Sequence, residues 1–197
     1  MQNFKSVEEY LASIPDGIDG YPHCLHKGEP FAAWLERSPI KGLREKIPRQ
    51  AARWFAVDHL PTWVPEVHAT VTYLALREAC FPNDSAFLEH ARVCNAAILD
   101  TPINRVLFWA ASPRAILRGS ALRWGTLHRG SSLAIRTPSD QSAELTLEFP
   151  AKLLPEIVLR GNAVGIALAL ERTGGRGVEV HLRSATATRA VFEARWH

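Results

Sequence analysis

Cysteine is scarce in this 197-residue chain: Cys24, Cys80 and Cys94 are the only three, and none forms a CxxC pair. That excludes a disulfide framework and fits a reducing compartment. No run approaches the roughly eighteen apolar residues of a membrane-spanning helix. The opening MQNFKSVEEYLASIPDG also places acids where a secretory signal needs a basic start and an apolar centre. A cytoplasmic location without membrane insertion is therefore expected. Catalytic signatures are equally thin. There is no GxSxG elbow and no nucleophile motif around a cysteine, and the only adjacent acids are Glu8 and Glu9 at a helix start. TGGRG at 173–177 lacks the Lys-Ser/Thr ending of a phosphate loop and reads as a tight turn. No catalytic residue is assigned, and the expectation is a protein that is not an enzyme.

What is present suffices for one core, since 47% of residues are hydrophobic. The expected organisation is a single domain, 1–197, with an N-terminal arm over 1–27, a helical region over 28–130 and a sheet region over 131–197. SVEEYLASI reads as a first helix capped by Ser6, and PFAAWLERS as a second that places Phe31, Trp34 and Leu35 on one face. From Pro65 the apolar stripe Val67, Val71, Leu74 and Ala75 predicts a long helix. After Phe81-Pro82-Asn83-Asp84, the stripe Phe87, Ala91, Cys94 and Ile98 predicts another, capped by Asp84 or Ser85 and paired antiparallel with its predecessor. A third is expected from Thr101 and Pro102 through Ile103, Val106, Leu107 and Ala110. The segment from Pro113 reads as broken by Gly119, Gly125 and Gly130.

After Gly130 the rhythm changes. SSLAIRT and AELTLEF alternate around a Pro138–Gln141 turn, a helical period follows Pro150, and GVEVHLRS and ATRAVFEARW alternate again. The fold class is α+β: N-terminal helices packed on a C-terminal four-stranded antiparallel sheet, in the order strand, strand, helix, strand, strand. Gly161 and Gly165 sit inside that last helix at a propensity cost of about 1 kcal/mol each, which points to close approach of the sheet or a ligand.

Charge is unevenly placed. Residues 1–100 carry 10 basic and 13 acidic groups and residues 101–197 carry 13 and 7, which sum to the chain's 23 and 20. No acid lies between Asp100 and Asp140, a span that holds Arg105, Arg114, Arg118, Arg123, Arg129 and Arg136. These arginines do not fall on one uninterrupted helix face and no helix-turn-helix is recognisable, which argues against nucleic acid. Among the six tryptophans, Trp109 and Trp124 lie beside the arginines. The expected ligand site is an apolar pocket walled by Phe31, Trp34, Tyr73, Trp109 and Trp124, with Arg105, Arg114 or Arg118 as the charged contact for an apolar or amphipathic anionic molecule. A protein-interaction or scaffolding module without a small ligand is the alternative. His23, Cys24 and His26 could join His90 and Cys94 in a metal set. Cys94, however, lies on the apolar stripe and reads as core, so neither metal nor cofactor is expected.

From about residue 28 onward the order of features resembles a family of myxobacterial paralogues of this length. The resemblance rests on the Leu- and Arg-rich stretch at 113–124, the strand ending in Phe149, the helix with Gly161 and Gly165, and the alternating end that closes on Arg195-Trp196. That family looks related to the haem nitric-oxide-binding and vinyl-reductase-type sensor domains. The resemblance implies helices packed on a small sheet, often around a cavity, in a regulatory protein of signal transduction that forms homodimers or joins larger assemblies. Haem-binding members combine an axial histidine on a helix with a Tyr-x-Ser-x-Arg motif. The motif is absent here, although His90 occupies a helical position. Zinc-bearing members use cysteines near the C-terminal sheet, and this chain has none after Cys94. The implied version of the fold is a sensory or scaffolding one without haem.

Overall fold

The computed structural model describes residues 4–197 except 41, 58, 102–105 and 107. Arg105 and half of the helix expected from Thr101 therefore lie outside the described residues, while 106 and 108–110 are helical. Helix α1 (Lys5–Ser13) is tied down at its start by Glu78, whose carboxylate accepts from the Lys5 and Ser6 amides at 3.0 and 2.8 Å and from the Ser6 hydroxyl. Ser6 thus donates to a distant acid rather than capping its own helix. Strand β1 (Leu25–Lys27) leads into α2 (Gly28–Arg37), whose Phe31, Trp34 and Leu35 are all buried, and a short helix α3 (Arg49–Ala52) follows.

Strand β2 (Trp63–Pro65) runs directly into α4 (Glu66–Cys80). Every residue of α4 from Glu66 to Leu76 is buried, so this helix is enclosed on all sides rather than along one stripe. It therefore has to bury Glu66, His68, Thr70 and Thr72 along with its apolar residues. Helix α5 (Asp84–Leu99) is capped by neither Asp84 nor Ser85: the Asn83 side chain accepts from the Ala86 amide at 2.9 Å. Nor does it lie back on α4, because Phe81 and Asn83 are both extended and carry the chain away. Its main neighbours are α2 and helix α7 (Glu156–Arg172). Arg160–Asp84, Arg92–Glu171 and Arg172–Asp100 ion pairs run from one end of the α5–α7 contact to the other.

Helix α6 (Pro113–Leu127) is continuous through Gly119 and Gly125, contrary to the broken segment expected. Ser112 caps it by accepting from the Ala115 amide and Pro113 opens the first turn, which together nucleate the helix strongly enough to carry two glycines. It ends in a two-residue strand, β3 (His128–Arg129). The C-terminal sheet follows expectation. Strands β4 (Ser132–Ser139), β5 (Ser142–Glu148), β6 (Glu179–Ala185) and β7 (Arg189–Arg195) form one antiparallel sheet in the order β4-β5-β7-β6, with α7 between its two hairpins in sequence. Leu145 faces Phe192 and Leu147 faces Ala190 across the central pair, and these side chains join a core that runs from Phe4 to Trp196.

A second sheet, not expected from the sequence, has three very short strands in the order β2-β1-β3. Its register pairs His26 with Val64 on one side and with His128 on the other. Among the described residues, no helix is long and apolar enough to cross a membrane.

Candidate functional site

The small sheet assembles a polar cluster where its three strands meet α4. Alternation along β1 and β3 turns His26 and His128 to the inner face and Lys27 and Arg129 to the outer face. There both cations lie over the Trp63 ring, at 5.2 and 4.2 Å from its centroid. Glu66 follows β2 at once and is the first residue of α4, and its amide donates to the Cys24 carbonyl at 2.9 Å. One ligand-type atom from each of His26, Glu66 and His128 lies within 4.8 Å of the other two.

Each member is held by a further contact. His26 Nδ1–H donates to the Lys27 carbonyl at 2.7 Å, which leaves Nε2 as its lone-pair nitrogen. His128 Nδ1 donates to Glu66 Oε2 at 3.0 Å, and its ring stacks on Trp124 with 4.1 Å between centroids and 14° between planes. Trp124 is fixed in turn by donating to Ser131 Oγ at 3.0 Å. Two glycines allow the strands to close up. A Cβ on Gly28 would stand 2.0 Å from the Pro61 carbonyl oxygen, and one on Gly130, at φ +78°, would stand 2.4 Å from Cys24 Sγ.

Burial sets the charge of the cluster. It pushes the His26 imidazole below its ordinary range, and His128 adds to this against the opposing pull of Glu66 and the Lys27 carbonyl. For Glu66, only 3% exposed, burial alone would raise the carboxyl pKa, but His128, by charge and hydrogen bond, and His26 outweigh it and hold it low. The result is a neutral His26 beside an ionised carboxylate that sits at a helix N-terminus, where the macrodipole favours it.

The three residues border a mostly apolar cavity of about 270 Å³. Helices α5, α6 and α7 and the inner faces of β4, β5 and β7 line most of it, with Leu117, Leu145, Ile157 and Phe192 among its walls and Asn95 and Asn162 as further polar groups. The glycines of α7 help to make this room. Gly161 borders the cavity and a Cβ there would meet nothing within 4 Å, whereas one on Gly165 would touch the Asn95 side chain at 3.5 Å.

Of the residues expected from sequence, Trp34, Tyr73 and Trp124 border the cavity, and Phe31 lies behind Tyr73 with ring centroids 6.0 Å apart. Arg114 is ion-paired with Asp140, Arg118 is exposed and Trp109 is 89% exposed, while Arg123 is the arginine of α6 that borders the cavity. His23, Cys24, His90 and Cys94 form no shared cluster with His26 among the described residues. His90 instead hydrogen-bonds Ser38 Oγ at 3.0 Å and lies 3.4 Å from Cys94 Sγ. Glu66 and His128 were not anticipated as site residues. The sequence did carry a signal for the histidines, because Leu25-His26-Lys27-Gly28 and Leu127-His128-Arg129-Gly130 share one pattern of apolar, histidine, cation and glycine. Both copies form strands that place the histidine inward, the cation on Trp63 and the glycine at a close approach.

No family model matches the chain, and no curated protein does. Solved structures do. An oxygen-binding H-NOX domain related to soluble guanylate cyclases, in its oxygen complex, superposes with a TM-score of 0.60 at 9% identity, covering 86% of this chain and 94% of that one. The Fe(II) unliganded H-NOX protein from K. algicida gives 0.57 at 10% identity over 87% and 96%. An H-NOX structure solved to probe haem distortion gives 0.59 at 10% identity over 86% and 94%. The chain has the H-NOX fold, and the helix-on-sheet arrangement implied by the sequence resemblance holds.

The residues that line this cavity do not fit an iron tetrapyrrole. A cavity of about 150 Å³ takes a six-carbon ring, so 270 Å³ falls well short of a macrocycle of roughly forty non-hydrogen atoms. The two imidazoles also stand side by side against a carboxylate, with ring centroids 4.9 Å apart, and neither is presented singly across a slot. His90, the helical histidine noted in the sequence, does not border the cavity.

Proposed function

We propose that this chain is a non-catalytic regulatory domain that binds a small, largely apolar molecule in the cavity between α5, α6, α7 and the four-stranded sheet. The observation that carries this reading is the cavity itself, about 270 Å³ and mostly apolar, with the His26–Glu66–His128 cluster and a few further polar groups on its wall. Pockets of this kind, apolar with a few convergent polar groups, begin near ~300 Å³ in ligand-binding proteins. By volume the occupant has on the order of ten to twelve non-hydrogen atoms, judged against a six-carbon ring in about 150 Å³. Trp34, Tyr73 and Trp124 supply aromatic wall. An amphipathic anion finds its charged contact at Arg123 on α6, while Asn95 and Asn162 suit a neutral polar group. The H-NOX fold supports the reading in one respect: the matched structures include a domain named for binding oxygen.

The test is native mass spectrometry and an absorption spectrum of the freshly purified protein, followed by fluorescence titration with naphthalene and with 2-naphthoate. Retained organic mass, or saturable binding of either probe that is lost in Gly161→Phe, supports the reading. The naphthoate arm reports whether an anion is preferred. A Soret band would overturn the exclusion of haem, and the absence of both retained mass and probe binding would overturn the cavity as a ligand site.

A second reading, an interaction module that pairs with its own copy in the cytoplasm, draws support from exposed apolar side chains. Trp109, Leu122 and Val106 are all largely solvent-facing. Light scattering after size exclusion would give a dimer that Trp109→Ser with Leu122→Ser converts to monomer. A monomer at all concentrations would remove this reading.

A further inference from the structure

We infer that His26, Glu66 and His128 form a binding site for one divalent first-row transition ion, of the zinc or iron(II) class, with at least one coordination position open to the cavity. This goes beyond the cavity reading and does not depend on it, since the ion is tested alone.

Geometry carries the inference. The three donor atoms stand within 4.8 Å of one another. Donors about 2.1 Å from an ion at tetrahedral angles stand roughly 3.4 Å apart, so small side-chain rotations close the set. Two imidazoles and one carboxylate suit zinc, iron(II), cobalt or nickel, and they do not suit calcium or magnesium, which take oxygen donors. Three protein ligands also leave room for an exogenous one.

The surroundings match those of metal ligands. A ligating histidine normally donates its other ring N–H to a carbonyl or carboxylate, which fixes the tautomer. His26 does this toward the Lys27 carbonyl at 2.7 Å, so its Nε2 lone pair is ready. His128 is fixed by its stack on Trp124, itself anchored to Ser131. On binding through Nδ1, His128 gives up its hydrogen bond to Glu66 and carries its ring hydrogen on Nε2. Rigid elements place all three donors: two paired strands and the first residue of α4.

A hydrogen-bonded charge network without metal is the competing explanation. Such a network needs only Glu66 and one histidine in contact. It gives no reason for a second buried imidazole, at 4.9 Å from the first, with its nitrogen outside the Glu66–His128 hydrogen bond. An ion uses all three.

The experiment uses the full chain stripped with chelator, dialysed and titrated with Zn2+ by calorimetry and with Co2+ by visible absorption. One ion per chain is expected, with a Co2+ spectrum of nitrogen and oxygen donors and no thiolate charge-transfer band. Glu66→Gln and His128→Asn should each weaken binding by at least 100-fold. Cys24→Ser, which alters the thiol that immediately precedes β1, should leave affinity within threefold. Far-UV circular dichroism establishes that each variant is folded. Should the variants fail to fold, the wild-type stoichiometry and Co2+ spectrum decide alone. Absence of stoichiometric binding at micromolar ion, a thiolate spectrum, or affinity unchanged in folded Glu66→Gln and His128→Asn would overturn the site. None of these outcomes bears on naphthalene or naphthoate binding, so the two proposals fail separately.

Discussion

The two sheets of this protein are built by opposite means. The four-stranded sheet has seven- and eight-residue strands whose inner face is largely apolar, with Leu145, Leu147 and Phe192 packed under α7. The three-stranded sheet has strands of three, three and two residues and turns two histidines inward beside a buried glutamate. A sheet so short cannot stand on its own hydrogen bonds. It persists because α2 and α4 start directly from its strand ends and α6 runs directly into β3, which fixes them. The long sheet supplies hydrophobic stability, while the short one spends some of it to hold buried polar groups in a fixed geometry. In one fold, apolar packing and the buried polar cluster fall to different sheets.

That division is open to direct attack. The largest effect is expected in the long sheet: Phe192→Ala removes a fully buried ring from the central strand and should cost about 3–5 kcal/mol in urea denaturation. If a small-sheet substitution such as Gly130→Ala cost more, the division would be wrong. Gly130→Ala should instead cost roughly 1–3 kcal/mol, from a positive φ and a contact with Cys24, while displacing His128 and so affecting binding more than folding.

A smaller, pH-dependent effect sharpens the picture at α1, which is tied to α4 through Glu78. Burial alone would raise the Glu78 carboxyl pKa, but hydrogen bonds from Ser6 and Lys5 and the nearby Arg77 charge outweigh it and hold it below the ordinary range. A depressed carboxyl contributes stability that is complete above its unfolded pKa, about 4.3, and is lost as pH falls through the lower folded value. Wild type should therefore lose more stability than Glu78→Gln between roughly pH 5 and pH 3 in thermal melts. Equal acid slopes would deny the carboxylate this role. The smallest effect is a gain. Gly161→Ala, with open space around its new Cβ, should stabilise α7 by about 1 kcal/mol, and a loss would mean that the space beside it is filled.

How much of this could be read from the chain follows the same division. Alternation in SSLAIRT, AELTLEF and ATRAVFEARW exposed the long sheet, because period two with one wet face is a strong local signal, and the helical interlude carrying Gly161 and Gly165 was equally visible. Strands of two or three residues leave no period to detect. Trp63-Val64-Pro65 and His128-Arg129 become strands only through pairing partners that are distant in sequence. The glycines of α6 misled for a related reason: cap and packing outweigh two propensity penalties. Aromatic residues pointed to a pocket, and Trp34, Tyr73 and Trp124 do border it. Trp109 shows that aromatic count cannot tell wall from surface. Glu66 was invisible as a site residue because an acid in the first turn of a helix is ordinary. What makes this one unusual is burial, and burial comes from the tertiary fold.

The binding reading stands or falls on usable apolar space between α5, α6, α7 and the long sheet. Crystals of the protein held under xenon pressure test it most directly, because xenon enters dry apolar cavities and scatters strongly. A xenon peak is expected among Leu145, Ile157 and Phe192, close to Gly161. Continuous side-chain density from α7 to β5, with xenon bound elsewhere or nowhere, would contradict it.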